Sequence, residues 1–329
     1  MKLKKIIYII CAFLVLPVLF GCADKGNGGE KYASVLGEDV YFDEVRYLTL
    51  NYKADMAAKY GDGMWNDGGE SYRAELEEKV NSAIKKEAAE RALFAEYGVD
   101  TDSKDVKKYV SDYIKNAKKE LGGNGEYKKQ LAENFMTERY LKSVLTTEKC
   151  FDSLRNALCT AGKIDTSDET VKNVIKNEFI RTLHVYISND DGDDVAENRA
   201  KAEKVLSLLE EGTPLNTLIG RYSEDFYMVT TDGYYFMRGE YESAYEDAAF
   251  ALDEGEHSGV VEGENGFYII VRLEKDDKYI SANFETLKDR YIYAMAERII
   301  AEKAENAEVE LTDFGKSTDL LKIQSEGDR

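Results

Sequence analysis

Between residues 178 and 275 the hydropathy pattern switches from a helical to a strand period, and that switch constrains the fold more than any other feature. IRTLHVYIS (180–188) alternates and is rich in β-branched residues, which predicts a strand. A polar loop, NDDGDD, leads into a helix, ENRAKAEKVLSLLEEG, and Pro214 stands at the first turn of a second short helix. Strand-like YYFM, a helix through YEDAAFAL, and two strands, SGVVE and GFYIIVRLE, follow. The order β-α-α-β-α-β-β is α+β rather than an alternating parallel unit.

The flanks read as helical. After a short apolar stretch, YASVLGEDVYF, Asp43 is expected to cap a helix through about Tyr60. Leu76, Val80, Ile84, Ala88 and Leu93 recur at helical spacing in a second helix, from about Gly69 to Tyr97, that Gly98 ends. Thr101 and Ser103 open another helix, closed at Gly122-Gly123. Residues 126–160 make one or two more, and Ser167 caps a short one. Residues 281–306 return to helix, with Phe284, Leu287, Tyr291, Ala294, Met295 and Ile299 on one stripe that must be buried. The amino-terminal helices are its expected partner. The predicted organisation is therefore a helical domain (31–177) completed by residues 276–329, with 178–275 inserted. The last dozen or so residues are expected to be frayed.

At the amino terminus, Lys2, Lys4 and Lys5 precede an apolar run, Ile6 to Phe20, ending at Gly21-Cys22. The run is short for a membrane span, which needs ~20 apolar residues, but suits a signal peptide over residues 1–21. LFGC resembles the lipobox read by lipoprotein signal peptidase, which implies lipid on Cys22 and anchoring on the extracytoplasmic membrane face. Residues 22–30 would be a flexible tether. Cleavage would take the formal charge from −20 to −23. That balance argues against nucleic acid, whose phosphates select basic surfaces. The 178–275 stretch alone carries 22 acids and 8 bases, whereas 101–150 is slightly basic. Cys150 and Cys159, nine residues apart, would lie ~13 Å apart on one helix by helix rise, too far for a disulfide; a break between them would allow one, but two buried free thiols are the expectation. No Cys/His cluster has metal spacing, so no metal or cofactor is expected.

The middle stretch resembles the parvulin family of peptidyl-prolyl isomerases, and the layout of the chain resembles the PrsA-type foldase lipoproteins. The resemblance rests on TLHVYIS, AEKVLSLLEEGTPLNTLIGRYSED and FMRGEYESAYEDAAFALDEGEHSGVVEGENGFYIIVRLE in that order. It implies His184 in the first strand and Asp225, the last residue of YSED, as catalytic, with Tyr268 where a second histidine normally pairs with the first. It implies substrate contacts at Tyr241 and Tyr245, where the family has Met or Leu and then Phe flooring a proline pocket. Glu242 stands for a usual Gln, Gly263 for a common Ser or Thr, and Tyr235 in place of a loop glycine.

Two functions follow from the resemblance. The first is isomerisation of X–Pro bonds in unfolded, newly exported polypeptides, which needs no nucleophile, metal or nucleotide. The second is a catalytically feeble parvulin fold that holds such clients, Tyr being well suited to varied peptides. Pairing of two chains into a homodimer stays open, as does a purely structural role for His184. A ligand-capturing surface lipoprotein would leave the parvulin motifs unexplained.

Overall fold

The structure, a computed structural model, describes residues 29–65, 69–189, 194–228 and 232–324. The expected signal peptide, Cys22, nearly all of the tether and most of the acidic loop NDDGDD lie outside the described residues. The chain divides into two units: the first runs up to Thr160 and resumes at Ile299, and the second is Ala161–Arg298.

The first unit opens with a hairpin, not an undivided apolar stretch. Strands β1 (Lys31–Val35) and β2 (Glu38–Tyr41) pair antiparallel. They join through Leu36-Gly37, both at positive φ (54° and 82°), as the tightest hairpin turns require. Five helices follow: α1 (Phe42–Tyr60), α2 (Arg73–Glu96), α3 (Lys104–Glu120), α4 (Asn124–Glu133) and α5 (Glu138–Thr160). Ser103 caps α3 by accepting from the Val106 N–H. Val45, Met56, Leu76, Val80 and Ile84 pack with Ala33, Val35 and Val40 of the hairpin into one core. Cys150 and Cys159 both lie on α5 and are free, Cys150 buried and Cys159 half-buried. Asp43 is not the cap of α1. Tyr41 holds that position with no side-chain bond, and Asp43, 2% exposed, turns inward to accept from Arg139 and Thr137.

Next to Asp43 sits a carboxyl pair, Glu44 buried and Glu87 half-buried. Glu44 of α1 and Glu87 of α2 are hydrogen-bonded to each other. Glu87 also accepts from the Tyr140 hydroxyl at 2.6 Å, and Arg91 reaches Glu44 at 3.2 Å. Burial first, then the Glu87 charge, push the Glu44 carboxyl up to about 8, so at neutral pH the pair retains a proton. A carboxyl held above its ordinary value gives stability that is full below about pH 4.5 and is lost as pH rises towards 8. Glu44→Gln, which keeps a donor for Glu87 without the titration, is expected to stabilise the protein at pH 9 by about 1–3 kcal/mol. Thermal melts of both proteins from pH 5 to 9 check this: the wild-type curve should fall on the alkaline side and the variant's should stay flatter.

The second unit begins with α6 (Asp168–Asn177), capped by Ser167. Then come β3 (Ile180–Ser188), α7 (Val195–Glu210), α8 (Leu215–Tyr222), β4 (Tyr234–Phe236), α9 (Ser243–Ala251), β5 (Val261–Gly263), β6 (Gly266–Leu273), α10 (Asp277–Ala282) and α11 (Phe284–Glu305). Pro214 stands one residue outside α8, at its N-cap. The four strands form an antiparallel sheet in the order β4-β3-β6-β5. Both faces are covered, so β3 buries Thr182 and His184 on one side as well as Leu183, Val185 and Ile187 on the other. On one face Val185, Ile187, Phe267 and Ile269 meet Ala202, Val205 and Leu218 of α7 and α8. On the other, Ile180, Phe236 and Ile270 meet Tyr245 and Ala249 of α9.

From Ile299 the chain rejoins the first unit, where β7 (Val309–Leu311) pairs antiparallel with β1, so the helical unit also carries a sheet, β2-β1-β7. Helix α12 (Asp313–Ser317) and a short 3-10 turn are the last elements among the described residues. The expectation of a frayed end fails for residues 318–324. Leu320 and Ile323 are buried in the first core, Asp319 pairs with Arg73 at 2.8 Å, and Lys53 donates to the carbonyls of Leu321 and Ile323.

Candidate active site

Strand alternation puts Thr182, His184 and Tyr186 on the α9 face of the sheet. Antiparallel register brings Tyr234 opposite Thr182, and Tyr268 opposite Tyr186, on which it stacks at 4.7 Å. Strand β4 covers only residues 180–182 of β3, which leaves the backbone of the later residues open on that side. The YSED segment takes it. Ser223 Oγ accepts from the Tyr186 N–H at 3.1 Å, and the Glu224 N–H donates to the Tyr186 carbonyl at 2.8 Å. The Glu224 carboxylate accepts from the Ser188 N–H and hydroxyl, each at 2.7 Å, and pairs with Lys201. This clamp delivers the next residue, Asp225, to His184.

Asp225 Oδ2 lies 3.1 Å from His184 Nε2 and accepts from the Tyr234 hydroxyl at 2.8 Å; Oδ1 accepts from the Tyr227 N–H at 2.9 Å. Burial works to raise the Asp225 carboxyl, but the hydrogen bonds from His184, Tyr227 and Tyr234 outweigh it and hold the group below the usual carboxylate range. His184 is 4% exposed. Its Nδ1 is 2.9 Å from the Tyr245 hydroxyl, which lies 2.8 Å from Thr182 Oγ1. Half-buried Tyr234, Tyr241 and Tyr268 surround this centre. Just beyond Asp225, Phe226 and Tyr227 are 85% and 77% exposed, an aromatic lip beside the carboxylate.

The loop before α9 is held by one buried side chain. The Glu246 carboxylate accepts from the N–H groups of Gly239, Glu240 and Tyr241 at 2.8–3.0 Å, which fixes where Tyr241 points. Glu240 in turn accepts from the Met237 N–H and from Arg290.

Several sequence expectations change here. Tyr235 is not at the site. As the middle residue of β4 it faces away from Tyr234 and Phe236, stacks on Tyr279 at 4.5 Å, and its hydroxyl accepts from the Asp276 N–H. Tyr245, expected to floor the substrate pocket, is 1% exposed and stands behind His184 as its hydrogen-bond partner. Tyr268 does not take that partner's role. Its ring meets the imidazole edge-on at 5.4 Å, but the longer side chain carries its hydroxyl past the ring to Glu242. A Cβ at Gly263 would stand 2.4 Å from Glu242 Oε1 and 2.7 Å from Tyr268 Cε2. The Glu242 carboxylate, which also accepts from the Glu264 N–H at 2.6 Å, thus fills the space a Ser or Thr would need. The departures at 242, 263 and 268 form one coupled change. Thr182 and Glu246 escaped the sequence reading. Thr182 was findable, since it lies two residues before His184 on one strand face.

Residues 184–274 match the family model for Rotamase: PPIC-type PPIASE domain. Over 224 residues the chain is 27% identical to foldase protein PrsA of Staphylococcus aureus strain MRSA252, covering 65% of this chain and 63% of that protein; the figures for strain Newman are the same. The chain thus spans less than two thirds of the length of those relatives. Among solved structures, foldase protein PrsA from Streptococcus pneumoniae is 20% identical, covering 84% of this chain and 92% of that one, with a TM-score of 0.38. PrsA from Bacillus anthracis, a peptidylprolyl isomerase, is 19% identical, covering 68% and 96%, with a TM-score of 0.32. The fold of this stretch rests on the matched span and on the register of the four-stranded sheet. His184 and Asp225 both fall inside the stretch, residues 184–274, that matches the parvulin-type rotamase model, and the chain around it is similar to the PrsA foldases.

Proposed function

We propose that the chain is a foldase of the extracytoplasmic membrane face, anchored by lipid on Cys22, that isomerises X–Pro bonds in newly exported polypeptides at His184 and Asp225. The observation that carries the reading is the anionic Asp225 carboxylate, held against a buried imidazole and flanked by tyrosine faces within a rotamase-type domain.

The chemistry asked of such a site is modest. Rotation about the amide must pass a twisted state that has lost resonance, at a barrier of ~18–20 kcal/mol. Planar amide resonance places negative charge on the carbonyl oxygen, and twisting withdraws it. A fixed carboxylate beside that oxygen therefore raises the planar form relative to the twisted one, which is differential binding of the transition state. Asp225 suits that role because its side chain keeps 16% exposure while its hydrogen bonds keep it ionised. Tyr234 and Tyr241 offer ring faces to the proline, and the exposed Phe226 and Tyr227 offer apolar surface to neighbouring residues.

A protease-coupled assay on a short X–Pro peptide tests the reading: the purified chain should speed the cis-to-trans step above background in proportion to its concentration. No acceleration by folded protein removes the enzymatic claim. A second reading, a holder of unfolded clients, draws on a groove of about 590 Å³ in the first unit, where Val106, Val110 and Ile114 are rimmed by Lys107, Lys115 and Lys142. It is favoured if the same inactive sample suppresses aggregation of an unfolded protein.

A further inference from the structure

The four polar groups behind the tyrosine surface admit a single pattern of donors when Asp225 is ionised and His184 neutral. Asp225 Oδ2 then only accepts, so both His184 Nε2 and the Tyr234 hydroxyl donate to it. A neutral imidazole with its proton on Nε2 presents a bare lone pair at Nδ1. The group facing that lone pair, 2.9 Å away, is the Tyr245 hydroxyl, which must donate. The Tyr245 oxygen is then an acceptor, and Thr182 Oγ1, 2.8 Å away, donates to it. The relay runs Thr182 to Tyr245 to His184 to Asp225. Thr182, His184 and Tyr245 are 0%, 4% and 1% exposed, so water is a poor substitute for any of these partners.

In the parvulin resemblance, the residue at 245 is usually Phe, which has no hydroxyl, and the first histidine is partnered by a second one at 268. Here residue 268 is a tyrosine that bonds to Glu242 and meets His184 only ring to ring, in a T-shaped contact. The position that lacks a polar group in the family supplies the partner in this chain. We infer that the Tyr245 hydroxyl replaces the second histidine as the positioning group of this site, fixing the rotation of the His184 ring so that Nε2–H faces Asp225. Loss of that hydroxyl leaves Nδ1 buried and unpaired, and a half-turn of the ring would take Nε2 away from Asp225.

The inference rests on the isomerase reading for its catalytic consequence, but not for its geometry, so two measurements separate them. In the wild-type protein, nitrogen-15 spectra of the histidines should show His184 with its proton on Nε2 and Nδ1 as a hydrogen-bonded acceptor. A proton on Nδ1 overturns the inference whatever the enzymatic result, and needs no variant to fold. Tyr245→Phe, which restores the usual family residue, should shift the Nδ1 resonance towards that of an unpaired nitrogen and lower kcat/KM for an X–Pro peptide about tenfold, with KM little changed. The double change Tyr245→Phe with Tyr268→His should recover most of that loss by rebuilding the pair of imidazoles. Unchanged Nδ1 resonance and activity in Tyr245→Phe would also overturn it. An inactive wild-type protein with the expected tautomer would leave the positioning role standing and remove the isomerase reading alone.

Discussion

Replacing Asp225 with Ala is expected to lower kcat/KM for X–Pro isomerisation about 10- to 100-fold, or ~1.4–2.7 kcal/mol, while the domain stays folded. The segment would remain in place because Ser223 and Glu224, not Asp225, tie it to β3. What disappears is the acceptor shared by His184 and Tyr234, and with it the anion that the proposed mechanism sets beside the substrate amide. Because the folded-state carboxyl sits below its ordinary value, its stabilising bonds are complete above about pH 3.8 and are lost only as pH falls through that lowered value. Activity should therefore not decline from protonation of Asp225 anywhere between neutrality and pH 5. Steady-state rates for the wild type and the Ala variant over that range check both statements. An Ala variant as active as the wild type would mean that the carboxylate only shapes the loop.

Glu246→Ala is expected to destabilise the second unit by several times what an ordinary surface substitution costs. The carboxylate is 6% exposed and accepts from three successive N–H groups, so its removal strands three donors at once. An unsatisfied buried group costs about 1–3 kcal/mol, and because these three donors are only partly buried and water can reach some of them, a loss of roughly 2–4 kcal/mol is expected. Glu246→Gln should be intermediate, because it keeps one oxygen but turns an NH2 towards groups that themselves donate. Urea unfolding gives the numbers, and tyrosine fluorescence should report the release of Tyr241. A shift below about 1 kcal/mol for the Ala variant would show that water satisfies the loop equally well.

The strand around His184, the helices before and after it, and the arrival of Asp225 from YSED were legible because each depends on local period and local order. The errors share a physical cause, namely contacts between residues distant in sequence. Tyr235 was misplaced by one residue of strand register, which flips a side chain to the opposite face. Tyr245 was read as pocket floor because its ring type was visible while the direction of its hydroxyl was not. That direction depends on where α9 crosses β3. Asp43 looked like a helix cap because nothing nearby announces Arg139, 96 residues away. The polar run KSTDLLKIQ suggested a loose end, yet Arg73 and Lys53 reach it from 246 and 268 residues away. Gly263 and Tyr268 are separate departures in the sequence and one in space, because Glu242 lies against both.

The most direct test of catalysis at His184 and Asp225 is exchange spectroscopy on a peptide containing one X–Pro bond, with a small molar fraction of the protein. Uncatalysed, the two isomers exchange over tens to hundreds of seconds and give separate signals without cross-peaks at sub-second mixing times. Cross-peaks should emerge with the wild-type protein and fade with Asp225→Ala, while the peptide perturbs the resonances of His184 and its neighbours in both. Binding at that surface without exchange cross-peaks, even at high protein concentration, would contradict the account.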